Sequence, residues 1–224
     1  MSNFDEPEYG VFIIESMDMD NEQDGKLDGY LLQQILDLCD IPNQYFYIRT
    51  KQELENIIEI FDESNYQFLH FSCHGTENAL ILTYDSITYG ELEEIIGESL
   101  YRRRLFLSAC NLANFELAKH FVPKYHCLSV IGSPDEIDYD RAAVFWSSFY
   151  YLMYDKKQTS MPQRYINQIL PDITKTFSLK LKYFSIIKDS NPKSINHLRE
   201  FEYDSGKKVF DESLDTGFRN IYRD

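Results

Sequence analysis

The chain lacks the devices that announce several common kinds of protein. Its 224 residues hold four cysteines, Cys39, Cys73, Cys110 and Cys127, none at the close paired spacing of a zinc ribbon or a disulfide framework. Structural thiols rather than disulfides are expected for Cys39, Cys73 and Cys127. No apolar run approaches the ~20 residues that cross a bilayer, and Met1-Ser2-Asn3-Phe4-Asp5-Glu6 has neither the basic start nor the apolar centre of a signal peptide. A cytoplasmic chain without membrane contact is the expectation. There is no G-x-G-x-x-G and no Walker loop, so the common phosphate cradles are missing. His120, His126 and His197 have no partner at metal-ligand spacing, and neither a metal nor a cofactor is expected. The run Asp20-x-Glu22-x-Asp24-Gly25 begins like a calcium loop, but its closing glutamate would fall at Leu31, which excludes an EF-hand and leaves open only a looser calcium or magnesium site.

Basic residues are scarce at the start. Residues 1–65 carry 16 acids and 3 bases, residues 66–154 carry 11 and 6, and residues 155–224 carry 10 and 13, for a total net charge of −15. Such acidity argues against nucleic acid as a partner. It leaves two readings, a basic partner or substrate and a merely solvated acidic face.

What is present is an alternation of strand and helix patterns. Val11-Phe12-Ile13-Ile14 reads as a buried strand, followed by a polar loop from Glu15 to Lys26. Leu27, Leu31, Ile35 and Leu38, with Tyr30, Leu32 and Leu36 alongside, give a helix with one broad apolar face. A second strand, Tyr45–Ile48, precedes Thr50-Lys51-Gln52-Glu53, which has capping-box spacing. Strand three ends at His74, a short hairpin turns at Tyr84-Asp85, strand four ends near Cys110, and strand five covers Cys127–Ile131. Ala142–Tyr154 is apolar nearly all round and reads as a buried helix, whereas Gln158–Ile187 reads as one or two helices broken at Pro171. The polar tail after Asn191 has no clear pattern. The alternation indicates an α/β fold with a largely parallel sheet, its core in residues 1–154, with residues 155–224 as a helical or regulatory extension that completes or decorates the same domain.

Two blocks carry the chemistry. Phe68-Leu69-His70-Phe71-Ser72-Cys73 leads into His74-Gly75, and Leu105-Phe106-Leu107-Ser108-Ala109 leads into Cys110. In an open α/β sheet, ligands bind beyond the carboxyl ends of the strands. A His and a Cys leaving neighbouring strands there would face one crevice, as a thiol nucleophile and its base require. The amides of Gly75 and Cys110 are candidates for an oxyanion hole. A cysteine at a strand end is more commonly packing, and it is the pairing of the two blocks that gives this one weight. His70 and Cys73 read as core residues.

The residues quoted from Phe68 to Gly75, the hairpin, Ile87-Thr88-Tyr89-Gly90-Glu91-Leu92 and Phe106-Leu107-Ser108-Ala109-Cys110 together resemble the CHAT family, in the clan of caspase-fold cysteine peptidases. The resemblance covers about residues 66–154. It implies a caspase-like three-layer sandwich with helices on both faces, in which His74 assists and Cys110 attacks a peptide carbonyl. It also implies that loops after the first, fourth and fifth strands grip the residue before the scissile bond. Here those loops hold Asp18 and Asp20, then Asp135, Glu136, Asp138 and Asp140, so Arg or Lys is the expected residue and Asp138 the leading pocket carboxylate. The family role implies a latent enzyme of a prokaryotic defence pathway, acting on a protein or peptide and switched on by a partner protein or a small signalling ligand. Asn111-Leu112-Ala113 departs from the acidic-Thr-Gly run common after the nucleophile, and the only tryptophan, Trp146, lies within the buried helix.

Two other classes compete. A binding or signalling module could keep this fold and use the crevice for a ligand or partner, although an intact His and Cys favour the peptidase. A receiver or nucleotide-binding domain fails, since strand three ends in His rather than a phosphorylatable Asp.

Overall fold

The five predicted strands are neighbours in a single sheet. A computed structural model describes residues 8–186 and 197–215; the opening Met1–Glu6, the start of the polar tail after Asn191 and the side chain of His197 lie outside the described residues. In chain order the elements are β1 (Glu8–Ser16), α1 (Met19–Gln23), α2 (Asp28–Leu38), β2 (Asn43–Tyr47), α3 (Lys51–Glu63), β3 (Tyr66–Gly75), β4 (Ala79–Ile81), β5 (Ser86–Thr88), α4 (Tyr89–Ile96), β6 (Arg104–Ser108), α5 (Phe115–Phe121), β7 (Ser129–Gly132), α6 (Tyr139–Asp155), α7 (Gln163–Phe177), β8 (Lys180–Ile186), β9 (His197–Asp204) and β10 (Lys207–Asp215). Strands β2-β1-β3-β6-β7 run parallel, and β8, β9 and β10 continue the sheet antiparallel beyond β7. The hairpin β4–β5 hangs from the end of β3.

Both faces are covered. Along β1, Phe12 and Ile14 turn into one core with α3, α4 and α5, while Val11 and Ile13 turn into a second core with α2, α6 and α7. This is the period-two alternation of a strand buried on both sides, and it gives an α/β three-layer arrangement. The second core is rich in rings: Phe106 meets Trp146, Phe149 and Tyr150 at centroid distances of 5.9, 5.7 and 5.4 Å. His70 belongs to this core. It is fully buried, its Nδ1 lies 3.0 Å from the Tyr150 hydroxyl, and burial pushes its pKa down to about 3.

Local signals explain the helix starts. Thr50 and Glu53 form a reciprocal capping box at α3, and Thr88 and Glu91 form another at α4. Three expectations need correction. The Glu15–Lys26 loop contains α1, capped by Asp18, whose carboxylate accepts from the Asn21 amide at 2.8 Å. In α2 the buried stripe is Asp28, Gly29, Leu32 and Leu36, whereas Leu31 and Leu38 are exposed. The helix buries a narrow i, i+4, i+8 stripe rather than the broad face that its leucine content suggests.

The third correction concerns residues 155–224. Helix α7 continues through Pro171, because Ile166, Leu170 and Ile173 anchor both sides of the proline in the core. That packing outweighs the ~3 kcal/mol a proline typically costs inside a helix. The helix ends where Ser178 adopts a left-handed backbone (φ 50°), and the chain then enters strand β8 rather than a second helix. Lys180-Leu181-Lys182-Tyr183 alternates with period two, with Leu181 and Tyr183 buried. The β9–β10 turn uses Ser205 and Gly206, both at positive φ as a two-residue type I′ hairpin requires. Among the described residues no helix is long and apolar enough to cross a membrane.

Candidate active site

The register of the sheet sets up the site. Ser72 of β3 lies directly beside Ser108 of β6. His74 and Cys110 each come two positions later, so both reactive side chains leave adjacent parallel strands at the same edge. Both line a cavity of about 900 Å³, with Asp28, Gly75, Glu136 and Asp138 among the other walls.

Glycine is required at position 75 for close approach. A Cβ there would sit 2.6 Å from the Cys110 carbonyl oxygen and 3.1 Å from the Leu112 Cβ. The two backbone segments proposed for the oxyanion hole are therefore in direct contact. Asn111, just after the cysteine, has a left-handed backbone at φ 60°, which turns the chain sharply away from the strand direction.

The two reactive groups are each engaged elsewhere. The Ile137 amide donates to Cys110 Sγ at 3.4 Å, from the loop between β7 and α6. Burial pushes the Cys110 thiol pKa up; the Ile137 amide opposes it in part, and the lesser effects of the Glu136 and Asp28 charges add to the rise. His74 Nε2 lies 3.0 Å from Asp18 Oδ2, 3.0 Å from the Tyr139 hydroxyl and 3.2 Å from Asn21 Nδ2. Asn21 Nδ2 also donates to Tyr139 at 2.8 Å and to Asp18 at 2.6 Å, closing a cage around the ring.

The acidic residues expected in the specificity pocket separate into different roles. Asp18 sits against His74. Glu136, Asp138 and Asp140 line the cavity but are exposed, and Asp138 lies 3.5 Å from Arg141 with its side chain 76% exposed. Asp135 pairs with Lys180 at 3.3 Å. In the run that begins like a calcium loop, Glu22 is taken up by Arg49 and Asp24 by Lys26. Among the described residues, no three His, Cys, Asp or Glu side chains are grouped to hold a metal.

The sequence reading missed Asp28, which is only 5% exposed. Ser72 Oγ donates to its Oδ1 and Ser108 Oγ to its Oδ2, both at 2.6 Å, so one carboxylate spans the two strands that carry the reactive pair. Below it lies Glu15, fully buried, which accepts from the Gly29 amide at 2.8 Å, the Tyr30 amide at 3.0 Å and the Tyr45 hydroxyl at 2.7 Å. Ser72 Oγ lies 3.1 Å from Glu15 Oε1 and has one proton for two carboxylates. Burial first, then the Asp28 charge, pushes the Glu15 pKa up to about 7; burial likewise raises Asp28. Gly29 lets the helix start settle here, since a Cβ would lie 3.0 Å from the Ser72 Cβ. The available signal was a carboxylate on an otherwise apolar stripe, Asp28-Leu32-Leu36.

Cys73 and Cys127 are buried in the first core, and Cys39 is partly buried against the second; all four thiols are free. No protein-family model matches this chain, and no curated protein matches it either.

Proposed function

We propose that this chain is a cysteine peptidase of the CHAT type, held in a resting state, that cuts after a basic residue. The observation that carries the reading is the emergence of His74 and Cys110, at equal distance beyond the register pair Ser72–Ser108, onto one cavity wall. The residue resemblance from Phe68 to Cys110 supports the same assignment.

In this mechanism His74 takes the thiol proton as Cys110 Sγ bonds to the substrate carbonyl carbon. The carbonyl π electrons move to oxygen, and the amides of Gly75 and Cys110 hold the resulting oxyanion. Collapse breaks the C–N bond, and His74 returns the proton to the leaving amine, leaving a thioester. Water, deprotonated by His74, then attacks the thioester. The acid product leaves and the thiol regains its proton.

Two contacts support latency. The sulphur rests on the Ile137 amide with a raised thiol pKa, and the imidazole is held by Asp18, Asn21 and Tyr139. Turnover requires the loop after β7 to release the sulphur and the Asp18, Asn21 and Tyr139 contacts to release the ring, which is a task for an activating partner protein or a small signalling ligand. The acidic lining supports a preference for Arg or Lys before the cut. A cytoplasmic role in prokaryotic defence rests on the resemblance alone. The same occupied contacts also favour a second reading, a non-catalytic module in which the crevice receives a ligand.

The test is alkylation by a peptidyl-Arg chloromethyl ketone, read by intact mass. Labelling at Cys110 that is lost in Cys110→Ala, slowed in His74→Ala and faster than with the Asp analogue is expected. Equal labelling of the His74→Ala variant, with or without candidate partners, would exclude the dyad.

A further inference from the structure

The sequence run Arg102-Arg103-Arg104 divides in the fold. Arg103 donates to the carbonyls of Phe61 at 2.9 Å and Ser64 at 2.7 Å, whereas Arg104, the first residue of β6, turns inward and is 7% exposed. The sheet register places Arg104 beside Ser129 of β7, Ser129 beside Ser185 of β8, and Ser185 beside Arg199 of β9. This polar row crosses the end of the sheet opposite to His74 and Cys110. Its residues lie two positions from Phe106, Ile131 and Tyr183 on their strands, and so share the face of the second core. Arg199 is partly exposed and its Nε lies 2.7 Å from Asp211. No carboxylate of the described residues pairs with Arg104. Its Nη1 donates to Ser129 Oγ at 2.8 Å, while its Nε and the hydroxyls of Tyr183 and Ser185 are buried without a hydrogen-bond partner. A buried guanidinium with no opposing charge is costly, and one serine offsets only part of that cost.

We propose that Arg104, Ser129, Tyr183 and Ser185 form a buried site for one small monovalent anion, of the size of chloride. The site stands apart from the peptidase reading and holds whether or not the chain cuts peptides. Three features fit such an ion. The Ser129 oxygen already accepts from Arg104, so its own proton can point to another acceptor. Arg104 Nε–H and the hydroxyls of Tyr183 and Ser185 add three donors, and a hydrogen bond to a charged acceptor is about twice as strong as a neutral one. Burial raises the Tyr183 pKa and the Arg104 charge acts against the rise, so the hydroxyl feels the guanidinium directly. All four residues are 7% exposed or less, which excludes a nucleotide or polyphosphate and leaves room only for a small ion. The site joins β6 and β7 of the parallel sheet to β8 of the antiparallel extension, so the ion would fasten one to the other. The plain alternative is that water meets these donors. Water satisfies hydrogen bonds but leaves the Arg104 charge unopposed, so dependence on the anion separates the two.

The experiment measures thermal unfolding of the full chain in sodium chloride and in sodium gluconate at equal ionic strength, gluconate being too large for the site. Above the dissociation constant, Tm is expected to rise by roughly 3–5 °C for each tenfold increase in chloride, as linkage to one site implies for a chain of this size. In gluconate it should stay about level. Excess broadening of the chloride NMR line by the wild-type protein, reversed by added bromide, is the direct reading and needs no variant. Ser185→Ala and Tyr183→Phe each remove one donor and should need about fivefold or more chloride for the same rise. Arg104→Met removes the charge, and its Tm should no longer distinguish the two salts. Equal Tm curves of the wild type in the two salts overturn the assignment. So does a chloride line without excess broadening, or a chloride response unchanged in both Ser185→Ala and Tyr183→Phe.

Discussion

The Cys110 sulphur receives a hydrogen bond from the Ile137 amide at 3.4 Å, and it does so while half-buried beside Glu136 and Asp28. Burial and the two negative charges disfavour the thiolate, whereas the amide favours it; the first effect is the larger. Burial thus makes the sulphur a weaker nucleophile at neutral pH than an exposed thiol.

Iodoacetamide should therefore modify Cys110 more slowly at pH 7 than it modifies a free thiol of pKa ~8.5. The rate should climb with pH to a midpoint above that of the free thiol. Intact-mass time courses from pH 6 to 10 measure it. A midpoint below ~8.5 would mean an already activated thiolate and would remove the case for latency.

The cage around His74 gives a second handle. Tyr139→Phe removes the hydroxyl 3.0 Å from Nε2, and Asn21→Ala removes the amide that links Tyr139 to Asp18. Each net hydrogen bond is worth about 1 kcal/mol, so either change should free the ring and raise Cys110 labelling by the peptidyl-Arg ketone roughly fivefold without an activator. A fall in labelling in both variants would show instead that the cage orients the imidazole for catalysis.

The contrast between what could and could not be foreseen has physical roots. The parallel sheet was legible because the strands of β1, β3 and β6 are short apolar blocks buried on both faces, a signal that needs no tertiary knowledge. The capping box at Thr50 is equally local. His74 and Cys110 could be paired because each closes a strand block. Asp28 could not, because its meaning depends on Ser72 and Ser108, 44 and 80 residues away. The leucine count of α2 pointed to Leu31 and Leu38, whereas helix orientation against the sheet selected Leu32 and Leu36. In residues 155–224, the helical pattern of Gln163–Phe177 was strong enough to draw the adjoining Lys180–Ile186 into the same reading. The left-handed Ser178 that divides them has no Gly or Asn to announce it.

Gly75 joins fold and site. Gly75→Ala would bring a Cβ within 2.6 Å of the Cys110 carbonyl, a backbone atom that cannot rotate aside. The strands must separate, at a cost of about 1–3 kcal/mol typical of overpacking. A lower urea midpoint is expected, together with loss of ketone labelling that exceeds the loss of stability. An unchanged midpoint would mean that the Cys110–Asn111 turn is compliant.

Glu15, beside Asp28, contributes to stability with a sign of pH dependence opposite to that of an ion-paired surface carboxylate. Glu15 is fully buried and its pKa is raised from 4.5 to about 7. The folded state therefore holds a proton that the unfolded chain has already released between those values. The contribution to stability is fully present below about pH 4.5 and is lost as pH rises through about 7, an amount on the order of 3 kcal/mol. Glu15→Gln keeps the side-chain size but cannot ionise. The difference in unfolding free energy between wild type and Glu15→Gln, taken from urea titrations at steps between pH 5 and 8, should shift steadily in favour of the variant as pH rises. Most of the shift should fall below pH 7, because ionisation in the folded state then levels the two states. A flat difference across that window would show that Glu15 is already ionised in the folded protein, with Tyr45 and the amides of Gly29 and Tyr30 sufficient to hold the charge. A difference that moved the other way would require a cation against Glu15, and among the described residues Glu15 forms no ion pair.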